Sequence, residues 1–162
     1  MTMPATQSDS PAEITYETCC KEAERLAQAG QIPAALQLLE AFVAAHRTNA
    51  EAWNDIAVLQ HALGRVDPAL LASGIAVSIE GGSALYRHTR ASVLLAAGQL
   101  EAAALTLAPV LVADPRNVEA LILAGDIKLA RQQRDDARSF YEEAAKVDPA
   151  SADASERLAM VA

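Results

Sequence analysis

The chain has 162 residues, 52% apolar but only 4% aromatic, with a formal charge of -8. That length holds one ordinary domain or one short repeat array, and the apolar content is enough for a sizeable core. The acidic balance excludes a nucleic-acid backbone or an anionic membrane surface as main partner, since both need basic patches, and no apolar run approaches the roughly 18 residues of a membrane span.

Residues 1–15 are rich in Ser, Thr, Pro and Gln. They are expected to form a disordered segment, and they lack the apolar core of a secretory signal. Cys19 and Cys20 are the only cysteines and are adjacent. Neighbouring thiols cannot make a disulfide framework, which fits a reducing, cytoplasmic setting. From here self-similarity dominates. Gly30, Gly64 and Gly98 are 34 residues apart, and the next step falls on Gln132. Five residues after each stands Ala35, Ala69, Ala103 or Ala137. The repeats run 16–49, 50–83, 84–117 and 118–151.

Each repeat divides into two helical segments at its glycine, which supplies the left-handed conformation that closes a helix. In the second repeat, Trp53, Ile56, Leu59 and Leu63 precede Gly64 at mostly helical spacing, and Leu70, Leu71, Ile75, Val77 and Ile79 follow it. Asp67 then Pro68 reads as an N-cap followed by the first helical position. Gly81-Gly82 reads as a turn, and Pro115 and Pro149 end the third and fourth repeats. Gln132 costs about 1 kcal/mol if it must turn left-handed. Residues 152–162 read as a short capping helix. Ala154, Leu158 and Val161 face inward, with Asp153, Glu156 and Arg157 outward.

A 34-residue helix–turn–helix with this pattern resembles the tetratricopeptide repeat. The second repeat carries it with Trp53, Ile56, Ala57 and Ala69, the third with Leu94, Ala103, Leu107 and Pro115. The fourth has Ala137, Tyr141, Ala144 and Pro149, and the first has Leu26, Gly30, Ala35, Leu39 and Phe42. The resemblance implies an all-α solenoid of four tandem repeats in a right-handed superhelix, with the capping helix at its end. Alanines sit where paired helices approach closely, and stacking buries faces that one repeat cannot bury alone. Trp53 is expected in the core, its truncation to alanine costing about 3–5 kcal/mol.

No nucleotide-binding glycine loop, HExxH, CxxC or GxSxG motif is present, so no catalytic residue is assigned. Cys20, His61 and His88 have no spacing that brings three or four zinc ligands together, and no metal or cofactor is expected. By resemblance, the first helices line a concave groove that holds a peptide or helix of a partner protein. The matching positions are Glu17, Cys20 and Glu24, then Glu51, Asn54, Asp55, Val58 and His61. Leu85, His88, Thr89, Ser92 and Leu95 follow, then Glu119, Ile122 and Asp126. This lining is acidic at both ends, with an apolar, histidine-bearing middle. It suits a segment with Lys or Arg and a few apolar anchors.

The clamp by which some relatives grip the acidic end of heat-shock chaperones uses Lys, Asn and Arg. Here those positions hold Cys20, Glu24, Asp55, Leu85 and Thr89, two of them repelling a carboxylate. Arg87 and Arg90 occupy positions that are usually apolar. Their stems are expected to pack while their heads reach water or a carboxylate such as Glu80 or Glu101. The function expected is non-catalytic protein binding. The alternatives are the N-terminal repeat domain of a larger bacterial glycosyltransferase or methyltransferase, a secretion chaperone of the repeat type, and a self-associating scaffold.

Overall fold

Five short polar residues, 34 apart, start every other helix. Thr15, Asn49, Ser83, Asn117 and Ser151 each accept the backbone N–H three residues on, at 2.7–3.4 Å. An N-cap of this kind satisfies one of the N–H groups that a helix start leaves without partners. The helices they open are α1 (Tyr16–Gln28), α3 (Ala50–Ala62), α5 (Ala84–Ala96), α7 (Val118–Ala130) and α9 (Ala152–Val161). Between them run α2 (Ile32–Ala45), α4 (Val66–Ile79), α6 (Leu100–Ala113) and α8 (Arg134–Val147). This computed structural model describes residues 15–162. The expected disordered segment lies outside the described residues except for Thr15, which caps α1. No strand occurs among the described residues.

Each hairpin turns through one left-handed residue. Gly30, Gly64 and Gly98 have φ of 74°, 69° and 71°, and Gln132 follows with 62°. The residue after each donates to the carbonyl five back, as Gln31 does to Leu26 and Gln133 to Lys128. That bond closes a helix with a Schellman turn. Gln132 makes the same turn with a Cβ, which favours the right-handed region by about 1–2 kcal/mol. Gln132→Gly is therefore expected to raise stability by about 1 kcal/mol in urea denaturation, and Gly98→Ala to lower it by a similar amount.

The chain divides into two units, Met1–Arg47 and Thr48–Ala162. The first is the α1–α2 hairpin. Buried Cys19 and Ala23 of α1 face a second helix whose Ala35, Leu36, Leu39, Phe42 and Val43 are buried. Phe42 meets Tyr16 and stacks on His46, with ring centroids 6.0 and 4.4 Å apart. Cys19 is buried and Cys20 half-buried.

In the second unit, α3–α4, α5–α6 and α7–α8 pair as hairpins, and α4–α5, α6–α7 and α8–α9 join them in succession. Ala91, Leu94, Ala103, Leu107, Val110, Ala120 and Ile127 form a continuous core through α5, α6 and α7. Alanine at the crossings lets the helix backbones approach, and the larger side chains fill the spaces between.

Three expectations change. The fourth helix begins at Val66, with Arg65 as its cap, so Asp67 and Pro68 lie within its first turn. Asp67 favours the helix through the dipole instead of capping it. Trp53 is half-buried against Ala50, Ala76, Tyr86 and Val77. Its truncation therefore falls at the low end of the expected range or below it, because part of the indole never leaves water. The third concerns the capping helix. Ala154 packs on Leu121 and Ala144, and Val161 on Ala137 and Tyr141. Its last carbonyls, on Met160, Val161 and Ala162, accept from the guanidinium groups of Arg134 and Arg138. Positive charge there complements the helix dipole. Arg157, expected outward, instead turns toward α7.

Candidate functional site

The candidate residues divide by unit and by depth. In the first unit, Glu17 is exposed and pairs with Lys21 at 2.6 Å, and the Cys20 thiol points to Glu24 at 3.6 Å. A pair of this kind on a helix surface contributes a few tenths of a kcal/mol.

In the second unit α5 is the neighbour of both α3 and α7. This brings the candidate residues of α3, α5 and α7 onto successive helices. Glu51 and Glu119 are exposed, and Asp55, His61, His88 and Ser92 are half-buried. Val58 and Leu85 are large apolar side chains left 46% and 59% exposed. Leu95 and Ile122 instead pack against core clusters. Asn54 and Thr89 are buried. The Asn54 Oδ1 atom has no hydrogen-bond partner among the described residues. These last four are less available to a ligand than their helical phase implied.

Asp126 is engaged from two sides. Its Oδ1 accepts the Tyr141 hydroxyl at 2.8 Å and Arg157 Nε at 2.8 Å, which ties α7 to α8 and to α9. Burial, then the hydrogen bond to the Asp126 carboxylate and its charge, push the Tyr141 hydroxyl well above the usual phenol range. The same carboxylate holds Arg157 more firmly protonated. The acidic residue expected at this end of the lining thus serves the packing of the last three helices.

Tyr86 was absent from the candidates, although it is buried on α5. Burial pushes its hydroxyl above the usual phenol range, and the carboxylates of Glu51, Glu80 and Asp55 push it further. Those three acids share a negative field that reaches the Tyr86 hydroxyl. The available signal was Tyr86 one residue after Leu85, with Ser83 capping its helix.

Arg87 and Arg90 pair with main-chain carbonyls. Arg87 Nε donates to Gly81 O at 2.6 Å and Arg90 Nη1 to Leu70 O at 3.2 Å. Glu101, one of the expected carboxylate partners, is taken by Arg131. Both side chains are half-buried, and their heads satisfy one carbonyl of α4 and one of the turn that follows it. No group of three or more His, Cys, Asp or Glu side chains is placed to hold a metal among the described residues. Nor is any helix among them long and apolar enough to cross a membrane.

Within the second unit, capped helices paired through left-handed turns and stacked in sequence define a helical-hairpin solenoid. A sequence profile of the tetratricopeptide repeat matches residues 20–74 and 122–162. The chain belongs to the tetratricopeptide repeat family. No curated protein sequence matches it. Among solved structures, it is similar to TTC0263, a tetratricopeptide protein of Thermus thermophilus. The two share 21% identity with a TM-score of 0.78, over 90% of this chain and 80% of that one. It is also similar to MamA 41-end from Desulfovibrio magneticus RS-1, at 18% identity and TM-score 0.77, over 90% of this chain and 82% of that one. A third likeness is to the first repeat domain of Spaghetti (RPAP3) bound to an HSP90 peptide. It has 16% identity and a TM-score of 0.63, over 69% of this chain and 89% of that one. At these identities the likeness is one of fold.

Proposed function

We propose that this chain is a non-catalytic interaction module that holds a segment of another protein against the first helices of its hairpins. The observation that carries this reading is Val58 and Leu85, large apolar side chains left in water on α3 and α5. The exposed carboxylates of Glu51 and Glu119 lie on the helices to either side of α5. Apolar anchors beside acidic groups suit an extended or helical segment with its own apolar residues and Lys or Arg between them. The RPAP3 domain, bound to an HSP90 peptide, is a precedent for peptide binding by this fold. An acidic peptide end is disfavoured here, because Glu24 and Asp55 stand at the positions of a carboxylate clamp. Capped, packed helices present such a surface already ordered, so little conformational entropy is lost on binding.

The test is affinity capture from the source-cell lysate, comparing the full chain with its Glu51→Lys, Leu85→Lys double variant. Both changes are at exposed positions, and circular dichroism verifies the fold. A protein retained by the first bait and lost from the second supports the reading. Equal capture by both baits overturns it.

A further inference from the structure

A second apolar feature lies on the second helices of the second unit. Between α6 and α8, over α7, is a crevice of about 160 Å³ whose walls include Ala104, Leu107, Ala108, Leu111, Ala124 and Phe140. The repeat 34 residues earlier explains the opening. Ala104, Ala108 and Ala124 correspond to Leu70, Gly74 and Arg90. In the earlier repeat, Arg90 extends its guanidinium to Leu70 O and lies 2.8 Å from where a Cβ on Gly74 would stand. Ala124 has no such arm, so nothing equivalent fills the space beside Ala108.

The helix that forms one wall also carries exposed apolar side chains. Val112 is 82% and Leu105 67% exposed, and Ala108 is exposed between them while also lining the crevice. From Leu105 to Ala113 the sequence holds no charge. The corresponding surface of α8 presents Asp135, Ser139, Glu142 and Lys146. Charge on the crevice rim is balanced, since Arg131 pairs with Glu101, and Lys128 with Asp136 at 3.2 Å. A strongly charged segment would have to break those pairs, whereas an uncharged aliphatic side chain would not.

An aliphatic knob beside an apolar hole on one face is the arrangement that a two-fold, self-complementary contact requires. We propose that this face is a self-association surface, with Val112 of each of two copies of the chain entering the other's crevice between α6 and α8. The balanced rim lets the surfaces approach without a local like-charge clash. The chain's overall charge of -8 opposes the pairing. Added salt screens that repulsion and leaves apolar burial intact, so association strengthens with ionic strength.

Sedimentation equilibrium of the full chain over a concentration series, at low and high salt, tests this. A monomer–dimer equilibrium that tightens with salt is expected. Val112→Lys is expected to weaken it by about 100-fold, because the change appears twice across a two-fold interface. Ala124→Arg, which copies the side chain that fills the earlier repeat, is expected to weaken it without altering the outer surface. Leu85→Lys, on a first helix, is expected to leave it unchanged. The proposal is overturned by a wild-type chain that stays monomeric, with or without a different protein bound on this face. It is also overturned by dimerisation that survives Val112→Lys, or by loss with Leu85→Lys.

Discussion

Replacing Tyr141 with alanine is expected to cost about 3–5 kcal/mol, the range for truncating a fully buried aromatic side chain. Tyr141 has no exposed surface and packs with Ala137 and Val161, so its ring joins the last hairpin to the capping helix. The truncation also removes the hydroxyl that donates to Asp126. Tyr141→Phe separates the two contributions, since it deletes only the hydrogen bond and is expected to cost about 1 kcal/mol. Urea denaturation of the three proteins measures both differences. A loss below about 1 kcal/mol for the alanine variant would sink the assignment of this ring as the centre of the C-terminal packing.

Gly125→Ala is expected to destabilise the protein by about 2 kcal/mol, although alanine is the better helix former by about 1 kcal/mol. Steric overlap decides the sign. A Cβ on Gly125 would overlap Tyr141 Cε1 and stand 2.7 Å from Cδ1, and the enclosed ring has no room to retreat. The same repeat positions are Ala23 with Leu39, Ala57 with Ser73 and Ala91 with Leu107. Only the fourth pairs glycine with an aromatic residue, which makes Gly125 and Tyr141 a small–large compensation. Introducing Tyr141→Leu beside Gly125→Ala reproduces the third pair, so the double variant is expected to recover at least about 1 kcal/mol relative to additivity. Strict additivity in that cycle would show that the two residues do not compensate each other.

Much of the fold was legible because its determinants are local and recur. Glycine spaced by 34, followed by alanine five residues later, marked the hairpins, since a left-handed turn and a close helix crossing each demand a particular residue type. Gln132 obeyed the register against its own preference, because the helices on either side of the turn must still pack. The cap series from Thr15 to Ser151 is equally periodic, with a short polar side chain before each first helix. At the candidate site, Glu51, Val58, Leu85 and Glu119 stand in water on the first helices. Asn54 and Thr89 are buried, and Asp126 is engaged by side chains of two other helices.

The sequence by itself determined that this is a four-repeat tetratricopeptide-like chain with a terminal helix, because backbone conformation, capping and apolar periodicity act within a few turns of chain. The tertiary structure alone decided which polar side chains are committed. Asp126 meets Tyr141 and Arg157 at sequence separations of 15 and 31 residues, and Arg90 reaches Leu70 across 20. It also decided that the space filled by Arg90 stands open beside Ala124. The physical reason is reach. A long side chain is satisfied by whichever carbonyl or carboxylate the packed neighbours bring within about 3 Å, and that is settled only when the helices have docked.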